Sequence, residues 1–206
     1  MSLDEQLVSG LEQMGLSLGM EQRGRLLDYI ALLQKWNRVY NLTAVRAAEN
    51  MLYQHLLDSL AVLPYAGTGR LLDVGSGAGL PGIPLAIVAP ELQITLLDSN
   101  HKKTTFLRQA CIELGLGNVA VACARVDVFI PPQLFDTVIS RAFSELSEFV
   151  RLSARLCRPG GKLLAMKGVY PHDELAQLPV EYRQAEVVAL NVPGLEAQRH
   201  LVIIGV

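Results

Sequence analysis

The sequence predicts an α/β protein in which helices cover both faces of a mostly parallel β-sheet and a helical extension precedes that sheet. Three observations support this prediction: helical apolar spacing before about residue 62, alternating strand-like and helix-like segments from Arg70, and two strand-like runs at the end. Half of the 206 residues are hydrophobic and 18% are charged, which is typical of a folded globular chain.

The first third of the chain carries an apolar stripe at helical spacing. Apolar side chains recur three and four residues apart at Leu26, Leu27, Ile30, Leu33, Trp36 and Tyr40. A second helix is predicted from Asn50 to Leu63, where Pro64 ends it. We therefore predict a helical extension over residues 1–64 that packs as one unit with a domain over residues 65–206.

Strand-like and helix-like segments alternate from Arg70 onward. The predicted strands are RLLDVG, QITLLD, NVAVACA, FDTVISRA and KLLAMKG, and the predicted helices are PGIPLAIVA, HKKTTFLRQACIEL and SELSEFVRLSARLC, the last closed by RPGG. Continuous apolar strands separated by helices indicate a parallel sheet that is buried on both faces. The final runs AEVVALNV and RHLVIIGV are joined by PGLEAQ and predict a hairpin that adds an antiparallel strand at one edge.

Several classes of protein are disfavoured by the composition. The three cysteines, Cys111, Cys123 and Cys157, include no CxxC pair, so we expect neither a disulfide framework nor a metal site. No apolar stretch approaches the roughly 18 residues of a membrane span, and the N-terminal MSLDEQLVSG lacks the basic start of a secretory signal. We expect a cytoplasmic protein with no membrane partner.

Charge is distributed unevenly along the chain. The formal net charge is −2, yet residues 98–167 contain ten Lys or Arg and six Asp or Glu. This excess predicts either a basic surface on part of an acidic protein or ordinary solvated helix faces. Both interpretations stay open on charge alone.

The glycine-rich stretch LLDVGSGAGLPG follows the first predicted strand and predicts a cofactor site. Ligands of such sheets lie beyond the carboxyl ends of the strands, and Gly75, Gly77 and Gly79 fall in the first turn there. The dinucleotide-binding pattern GxGxxG fits residues 77–82, but it begins two residues late and includes a proline. A second register places Asp73 at the end of the strand, before the three glycines.

The acid at Asp73 favours a cationic cofactor over a dinucleotide. A carboxylate there repels a pyrophosphate, whereas it attracts the sulfonium and ammonium charges of S-adenosylmethionine. We therefore predict S-adenosylmethionine as the cofactor. A dinucleotide site and a loop that is only a tight turn are the alternatives.

Further residues at the predicted strand ends fit an adenosine ligand. Asp98 ends the second strand and is expected to accept hydrogen bonds from ribose hydroxyls, although it also fits a helix N-cap. Val126 follows the third strand and is expected to pack on adenine, while the Asp127 region hydrogen-bonds the adenine amino group. An ordinary loop is the alternative for these two residues.

Arg141 follows the fourth predicted strand. In a sheet of this kind, the end of that strand faces the methyl group that S-adenosylmethionine transfers. The SRAF sequence there lacks the proline-rich tetrapeptide of many base-amine methyltransferases, and the chain lacks the Pro-Cys pair used to attack pyrimidine C5. An arginine suits guanine N7, which carries a lone pair and no proton and lies beside the O6 acceptor. The alternative is that Arg141 binds the cofactor carboxylate or a phosphate.

Six segments in order along the chain resemble the RsmG, or glucose-inhibited division protein B, family of bacterial 16S rRNA guanine-N7 methyltransferases. These are KWNRVYNLTAVR, HLLDSL, LLDVGSGAGLPGIPLAI, LLDSNHKKTTFLRQ, FDTVISRAF and MKG. The resemblance implies a class I S-adenosylmethionine-dependent methyltransferase fold, which is Rossmann-like, with an N-terminal helical extension. It implies methyl transfer to N7 of a guanosine in the 530 loop of 16S rRNA, with naked 16S rRNA or the 30S subunit as partner.

The resemblance also implies roles for single residues. It assigns cofactor contacts to Gly75, Leu80, Val126, Asp127 and Arg141, with Asp98 at the ribose, and it places His55, Asp58 and Lys167 near the mouth of the active site. Together with Arg125, which also follows a predicted strand, the candidate catalytic residues are Arg141, Lys167, Arg125 and His55. We expect a monomer; a nicotinamide-dependent oxidoreductase and a non-catalytic RNA-binding module are the competing functions.

Overall fold

Seven strands form one sheet in the computed structural model, which describes residues 1–141, 143 and 145–206. The strands are β1 (Arg70–Val74), β2 (Gln93–Asp98), β3 (Val119–Cys123), β4 (Phe135–Ser140), β5 (Cys157–Lys167), β6 (Glu186–Ala189) and β7 (His200–Gly205). Their order across the sheet is β3-β2-β1-β4-β5-β7-β6. The five strands expected from the alternating segments are all present.

The strands β1 to β5 are parallel, and β7 pairs antiparallel with β5 and with β6. The predicted mostly parallel sheet and the C-terminal hairpin are thus confirmed. The hairpin contributes two strands to the sheet: β7 lies inside it and only β6 lies at the edge. The central position of β1 explains why its residues 71–74 are buried.

The predicted start of the fifth strand is wrong. The RPGG sequence was expected to close a helix, but it lies inside β5, which begins at Cys157. A shift of register at Phe135 and Thr137 of β4 accommodates this irregular start. Gly161 is required there because a Cβ would lie 2.5 Å from the sulfur of Cys157 and 2.7 Å from the carbonyl oxygen of Asp136.

The helices cover both faces of the sheet and form the N-terminal extension. They are α1 (Leu3–Gln13), α2 (Met20–Tyr40), α3 (Ala48–Met51), α4 (Asp58–Leu60), α5 (Gly82–Val88), α6 (His101–Glu113), α7 (Leu146–Ser153) and α8 (His172–Ala176). A π-helical segment, Leu52–Leu57, joins α3 to α4, so the helix predicted at 50–63 has three parts. No helix was predicted at α8. Ser144, the predicted first residue of the helix observed as α7, and Ala142 of SRAF lie outside the described residues.

The N-terminal extension shares its hydrophobic core with one face of the sheet. Leu7, Leu26 and Leu57 of the extension belong to the same buried cluster as Leu71 and Phe106. A second cluster packs on the opposite face, where α7 covers the sheet. The shared core agrees with packing as one unit, while the boundary at residue 64 stays a prediction.

The helix α2 positions the extension against the sheet. Gln22, near its start, donates through Nε2 to the carbonyl oxygen of Val88 at the end of α5, at 3.1 Å. Near its end the ring of Trp36 packs 5.7 Å from the ring of Phe106 in α6. The C-terminal end of α2 therefore lies near the start of α6, on the side of the sheet where the parallel strands end.

Within the described residues, no helix is both long enough and apolar enough to cross a membrane. The three cysteines are free, as expected.

Candidate functional site

Two cavities open at the edge where the parallel strands end. The first has a volume of about 450 Å³ and is lined by residues that follow β1, β2 and β3, and by Phe143 and α7. The second has a volume of about 330 Å³ and lies between the π-helical segment, the ends of β4 and β5, and the start of the C-terminal strand. Most of the candidate residues line one of these two cavities, whereas Asp73, Gly77, Gly79 and Leu80 line neither.

The glycine loop after β1 forms one wall of the first cavity. Gly75 lines the cavity and has a φ of 71°, a left-handed conformation that favours glycine. The Gly77 N–H donates to Asp98, so this loop residue is fixed to the end of β2. The Asp98 carboxylate thus fixes the loop at the wall of the cavity.

Gly79 and Leu80 occupy the core behind the loop and do not line the first cavity. At Gly79 a Cβ would lie 2.5 Å from Cδ1 of Ile83, and the Leu80 side chain is only 3% exposed within the hydrophobic cluster. Their side chains therefore serve packing, because this turn presses against α5. A cofactor contact from either residue can come only from its backbone.

Asp98 joins the glycine loop to the start of α6. Its Oδ2 accepts from the Gly77 N–H at 2.9 Å and its Oδ1 accepts from the Asn100 N–H at 2.8 Å. The N-cap of α6 is Asn100, whose side chain accepts from Lys102 and Lys103, so the capping alternative for Asp98 is wrong. An ionised carboxylate has lone pairs beyond these two bonds, and Asp98 lines the cavity with them available for hydroxyl donors.

Asp73 lies behind the loop and is completely buried. Its Oδ2 accepts from the Gly82 N–H at 3.0 Å, while Oδ1 has no hydrogen-bond partner among the described protein atoms. Burial raises the pKa of Asp73 to about 7, against the opposing influence of the Gly82 N–H and the Arg141 charge. The carboxyl group thus fixes the turn, and a nearby positive charge would promote its ionisation.

The segment after β3 forms the opposite wall of the first cavity. Val126 lines the cavity and its carbonyl accepts from Arg155. The guanidinium of Arg125 holds both carboxylate oxygens of Asp127, at 3.1 and 2.8 Å, and keeps the pKa of Asp127 below its ordinary value. Arg125, Val126 and Asp127 therefore line the same cavity, although Arg125 is largely exposed.

The second cavity is built around the buried carboxylate of Asp58. Nη1 of Arg141 lies 3.2 Å from Oδ2, and Nε of Arg199 donates to Oδ1 at 2.8 Å. Arg141 also donates to the carbonyl of Gln54 at 3.3 Å. Asp58 therefore has two arginines as its partners, and its place near an active-site mouth stays a prediction. Arg199 was not predicted as a site residue, because the only signal at this position in the sequence is a basic charge before the last strand.

His55 lies in the wall of the second cavity as a neutral ring. It is 4% exposed, and burial together with the Arg141 charge lowers its pKa to about 4. The Gln54 carbonyl 2.9 Å from Nδ1 requires a proton on that nitrogen, so Nε2 accepts from the Thr43 hydroxyl at 2.9 Å. Both ring nitrogens are engaged, which leaves no free nitrogen for proton transfer in this arrangement.

Lys167 connects the end of β5 to the loop after β4. Its Nζ donates to Glu174 at 2.7 Å and to the Phe143 carbonyl at 3.2 Å. The same oxygen of Glu174 accepts from the Leu146 N–H at 2.8 Å, at the start of α7. The catalytic roles suggested for Lys167, His55, Arg125 and Arg141 stay predictions, while the structure brings His55, Arg141 and Lys167 to one cavity and Arg125 to the other.

Among the residues that the structure describes, no group of three or more His, Cys, Asp or Glu side chains is placed to hold a metal ion.

Solved structures with the same fold are S-adenosylmethionine-dependent methyltransferases. The O-methyltransferase TomG from Streptomyces achromogenes, solved in complex with SAM, has a TM-score of 0.62 at 16% identity, with all of both chains covered. A SAM-dependent methyltransferase from Aquifex aeolicus has a TM-score of 0.57 at 22% identity and covers 75% of this chain and 92% of its own. These similarities establish the class I methyltransferase fold.

Sequence relatives are much closer. The proteins named ribosomal RNA small subunit methyltransferase G from Laribacter hongkongensis and Neisseria gonorrhoeae are 57% and 52% identical. The first match covers 100% of this chain and 99% of the relative, and the second covers 99% of each. The sequence profile of GidB, described as rRNA small subunit methyltransferase G, matches residues 22–202. The chain therefore belongs to the GidB family of small subunit rRNA methyltransferases.

Proposed function

We propose that the protein transfers a methyl group from S-adenosylmethionine to N7 of a guanosine in the 530 loop of 16S rRNA. The observation that supports it most is the pair of cavities at the carboxyl edge of the sheet. One is lined by the glycine loop and Asp98, and the other by Arg141 and the Asp58 cluster. Family membership gives the class of substrate, and the two cavities give a place for each reactant.

The residues of the first cavity fit S-adenosylmethionine. Asp98 offers acceptor lone pairs for ribose hydroxyls, Val126 offers an apolar surface for adenine, and Gly75 leaves room for close approach of the backbone. The unpartnered oxygen of buried Asp73 adds negative potential behind the loop, which favours a cation over a diphosphate. When bound, this cofactor supplies a methyl group activated by its positively charged sulfur.

The second cavity fits a guanine base. A guanidinium has five N–H donors, and the two contacts of Arg141 with Gln54 and Asp58 involve only Nη1. Donors on the other nitrogens can reach O6, which lies beside N7 on the base edge that arginine recognises. Arg141 then orients the base, while Asp58 holds Arg141 in place and Arg199 fixes the other oxygen of Asp58.

No general base is needed for this reaction. Guanine N7 carries a lone pair and no proton, so attack on the methyl group removes no proton from the base. His55 agrees with this because it is neutral and both of its ring nitrogens are hydrogen-bonded. The chain therefore contributes positioning and electrostatic stabilisation, which are large terms in group transfer.

The remaining parts of the proposal concern the setting of the reaction. We place the protein in the cytoplasm, where 16S rRNA is modified, and we propose that it acts as a monomer with residues 1–64 as a helical extension of the catalytic domain.

The test is methyl transfer itself. Purified protein is incubated with S-adenosylmethionine carrying a deuterated methyl group and with either naked 16S rRNA or 30S subunits that lack the modification, and the nucleosides are analysed by mass spectrometry. We expect one labelled N7-methylguanosine per rRNA. Label in another nucleoside, or in protein alone, would overturn the proposal.

A further inference from the structure

Two helical segments that contact each other carry only basic charge. Residues 29–47, which include the second half of α2, and residues 99–112, which include most of α6, each contain three Lys or Arg and no Asp or Glu. They meet where the ring of Trp36 packs against Phe106. In a chain with a net charge of −2, two adjoining segments without any acid mark a localised positive surface. We call its exposed members the basic face: Lys35, Arg38, Arg46, Lys102 and Arg108.

Most charges on the basic face are not used to stabilise the fold, although Arg46 donates to the Asn37 carbonyl at 3.1 Å and to Oδ1 of Asn41 at 3.0 Å. Within the described residues, Lys35, Arg38 and Lys102 are exposed and form no ion pair. In the first half of α2, by contrast, Arg23 pairs with Asp4 and Arg25 pairs with Glu21. A helix of this protein therefore balances its basic residues with acids at one end and leaves them unbalanced at the other.

The basic face borders both cavities. Lys103, in the first turn of α6, lines the first cavity. On the other side, the loop after α2 reaches the second cavity through Thr43, whose hydroxyl donates to His55. The opposite flank differs in sign, since residues 169–186 contain four acidic residues and one basic residue. A polyanion at the two cavities is thus attracted to the α2–α6 side and repelled from the α8 side.

We propose that the basic face binds the phosphate backbone of the RNA segment that flanks the target nucleotide. This inference rests on the proposed function, because it takes the second cavity as the place where the base enters. Contacts to phosphates fix register and orientation without reading sequence, which is the task left once Arg141 and the second cavity recognise the base. The exposed side chains of Val39 and Tyr40 lie at the end of α2, and Tyr40 stacks on Trp36 at 5.2 Å, which offers a ring for an unpaired base.

The test compares two variants that lose the same charge. The triple substitution Lys35→Gln, Arg38→Gln and Lys102→Gln removes three positive charges from the basic face. The control Arg25→Gln, Lys162→Gln and Arg183→Gln removes three from elsewhere on the surface. Binding of a 16S rRNA transcript is measured without cofactor at several KCl concentrations. The single variant Lys102→Gln is measured as well, so that the test still gives a result if the triple variant does not fold.

The expected result is a change in salt dependence. The negative slope of log affinity against log salt should become shallower by about 2–3 in the triple variant and by about 1 in Lys102→Gln, because a phosphate contact that is lost no longer releases a counterion on binding. The KM for rRNA should rise at least about tenfold at 0.1 M salt, while S-adenosylmethionine affinity stays unchanged. The control should match the wild type.

Two outcomes separate this proposal from the proposed function. If the wild-type protein methylates guanine N7 but the triple variant keeps the wild-type slope, the basic face does not bind RNA and the proposal fails alone. If the wild-type protein transfers no methyl group to rRNA, the proposed function fails, and the binding slopes still decide where RNA lies. Equal losses in the test and control variants would also overturn the assignment, since they would show only a dependence on net charge.

Discussion

The hydroxyl of Tyr29 donates a hydrogen bond of 2.7 Å to the carbonyl oxygen of Ala78, in the middle of the glycine loop. Tyr29 is completely buried, and burial raises its pKa, so the phenol stays protonated and remains a donor. This bond joins α2 of the extension to the loop that lines the first cavity. The bond agrees with the prediction that the extension and the sheet pack as one unit.

Removal of this hydroxyl tests the connection. We expect Tyr29→Phe to lower the free energy of unfolding by about 1–2 kcal/mol, because the Ala78 carbonyl is left without its buried partner. The affinity for S-adenosylmethionine, measured by calorimetry, should fall a few-fold as the loop loosens. The control Tyr40→Phe removes the hydroxyl of a partly exposed ring and should change neither quantity. Wild-type stability in Tyr29→Phe would contradict the account.

Asp98 is expected to be the most sensitive residue of the first cavity. Asp98→Ala removes two charge-assisted hydrogen bonds to the Gly77 and Asn100 N–H groups and the acceptor for the ribose. We expect cofactor affinity to fall about 30-fold or more, since one such bond contributes about 1.5–3 kcal/mol. Ser99→Ala in the same cavity wall is the matched control. Cofactor binding within threefold of wild type in Asp98→Ala would show that this carboxylate is not part of the site.

Asp73 predicts a pH dependence of stability and of cofactor binding. With a pKa of about 7 in the folded state and 3.8 as the ordinary value, the folded protein holds a proton between about pH 4 and 7 that the unfolded chain has lost. The contribution of this group to stability therefore falls as pH rises through that window, by at most about 1.4 kcal/mol per pH unit. Asp73→Asn should remove this dependence. The stability of the variant relative to the wild type should therefore increase as pH rises to about 7–8, and it should stay constant above that pH.

The same substitution should weaken cofactor binding. A bound cation favours the ionised carboxylate, so wild-type affinity for S-adenosylmethionine should rise between pH 6 and 8 while that of Asp73→Asn stays flat. Denaturation curves and calorimetry at matched pH values measure both effects. Parallel pH profiles for the two proteins would show that Asp73 does not titrate in this range.

His55 should remain neutral at every pH where the enzyme works. Because its pKa is lowered to about 4, its ring signals in NMR spectra should not titrate above about pH 5.5, whereas in the urea-unfolded chain they should titrate near the ordinary value of about 6.5. The stability contribution of this group should increase as pH rises from about 4 to 6.5, the range in which only the unfolded chain binds the proton. A titration of the folded protein near pH 6.5 would reopen a role for His55 as a base.

The Asp58 cluster should matter for transfer to RNA more than for cofactor binding. Asp58→Asn leaves Arg141 and Arg199 facing each other without their shared counter-charge, and we expect a loss of about 1–3 kcal/mol in stability, since both arginines are partly exposed. Methyl transfer to rRNA should fall at least about 100-fold because Arg141 is no longer fixed. The more exposed pair of Arg25 and Glu21 supplies the control Glu21→Gln, for which both effects should be small. Unchanged transfer in Asp58→Asn would separate this cluster from the reaction.

The sequence predicted the features that local pattern determines. Apolar periodicity identified α2, α6 and the strands β1 to β5, and the glycine spacing placed the loop beside Asp98. The RPGG segment was assigned wrongly because its glycines and proline are typical of turns, while its place inside β5 depends on the pairing of Cys157 and Lys162, on either side of it, with β4. The five residues of α8 are too few to show helical periodicity.

The less predictable part of the site depends on long-range packing. Arg199 meets Asp58 across 141 positions, through a hairpin whose placement no local pattern determines. The sequence also marked Asp73 as an acid at the strand end, but it could not show that burial would raise its pKa to about 7. Gly79 and Leu80 carry the loop pattern and yet face the core, since a motif does not tell which side of a turn meets the ligand.

The central claim is that the two cavities bring the activated methyl group to guanine N7. Borohydride reduction followed by aniline cleaves an RNA chain at N7-methylguanosine and at no ordinary guanosine. After incubation with the protein and S-adenosylmethionine, 16S rRNA should be cleaved at a single guanosine in the 530 loop, and Arg141→Ala should abolish the cleavage. Methylated rRNA that resists this cleavage, or that is cleaved outside that loop, would contradict the account.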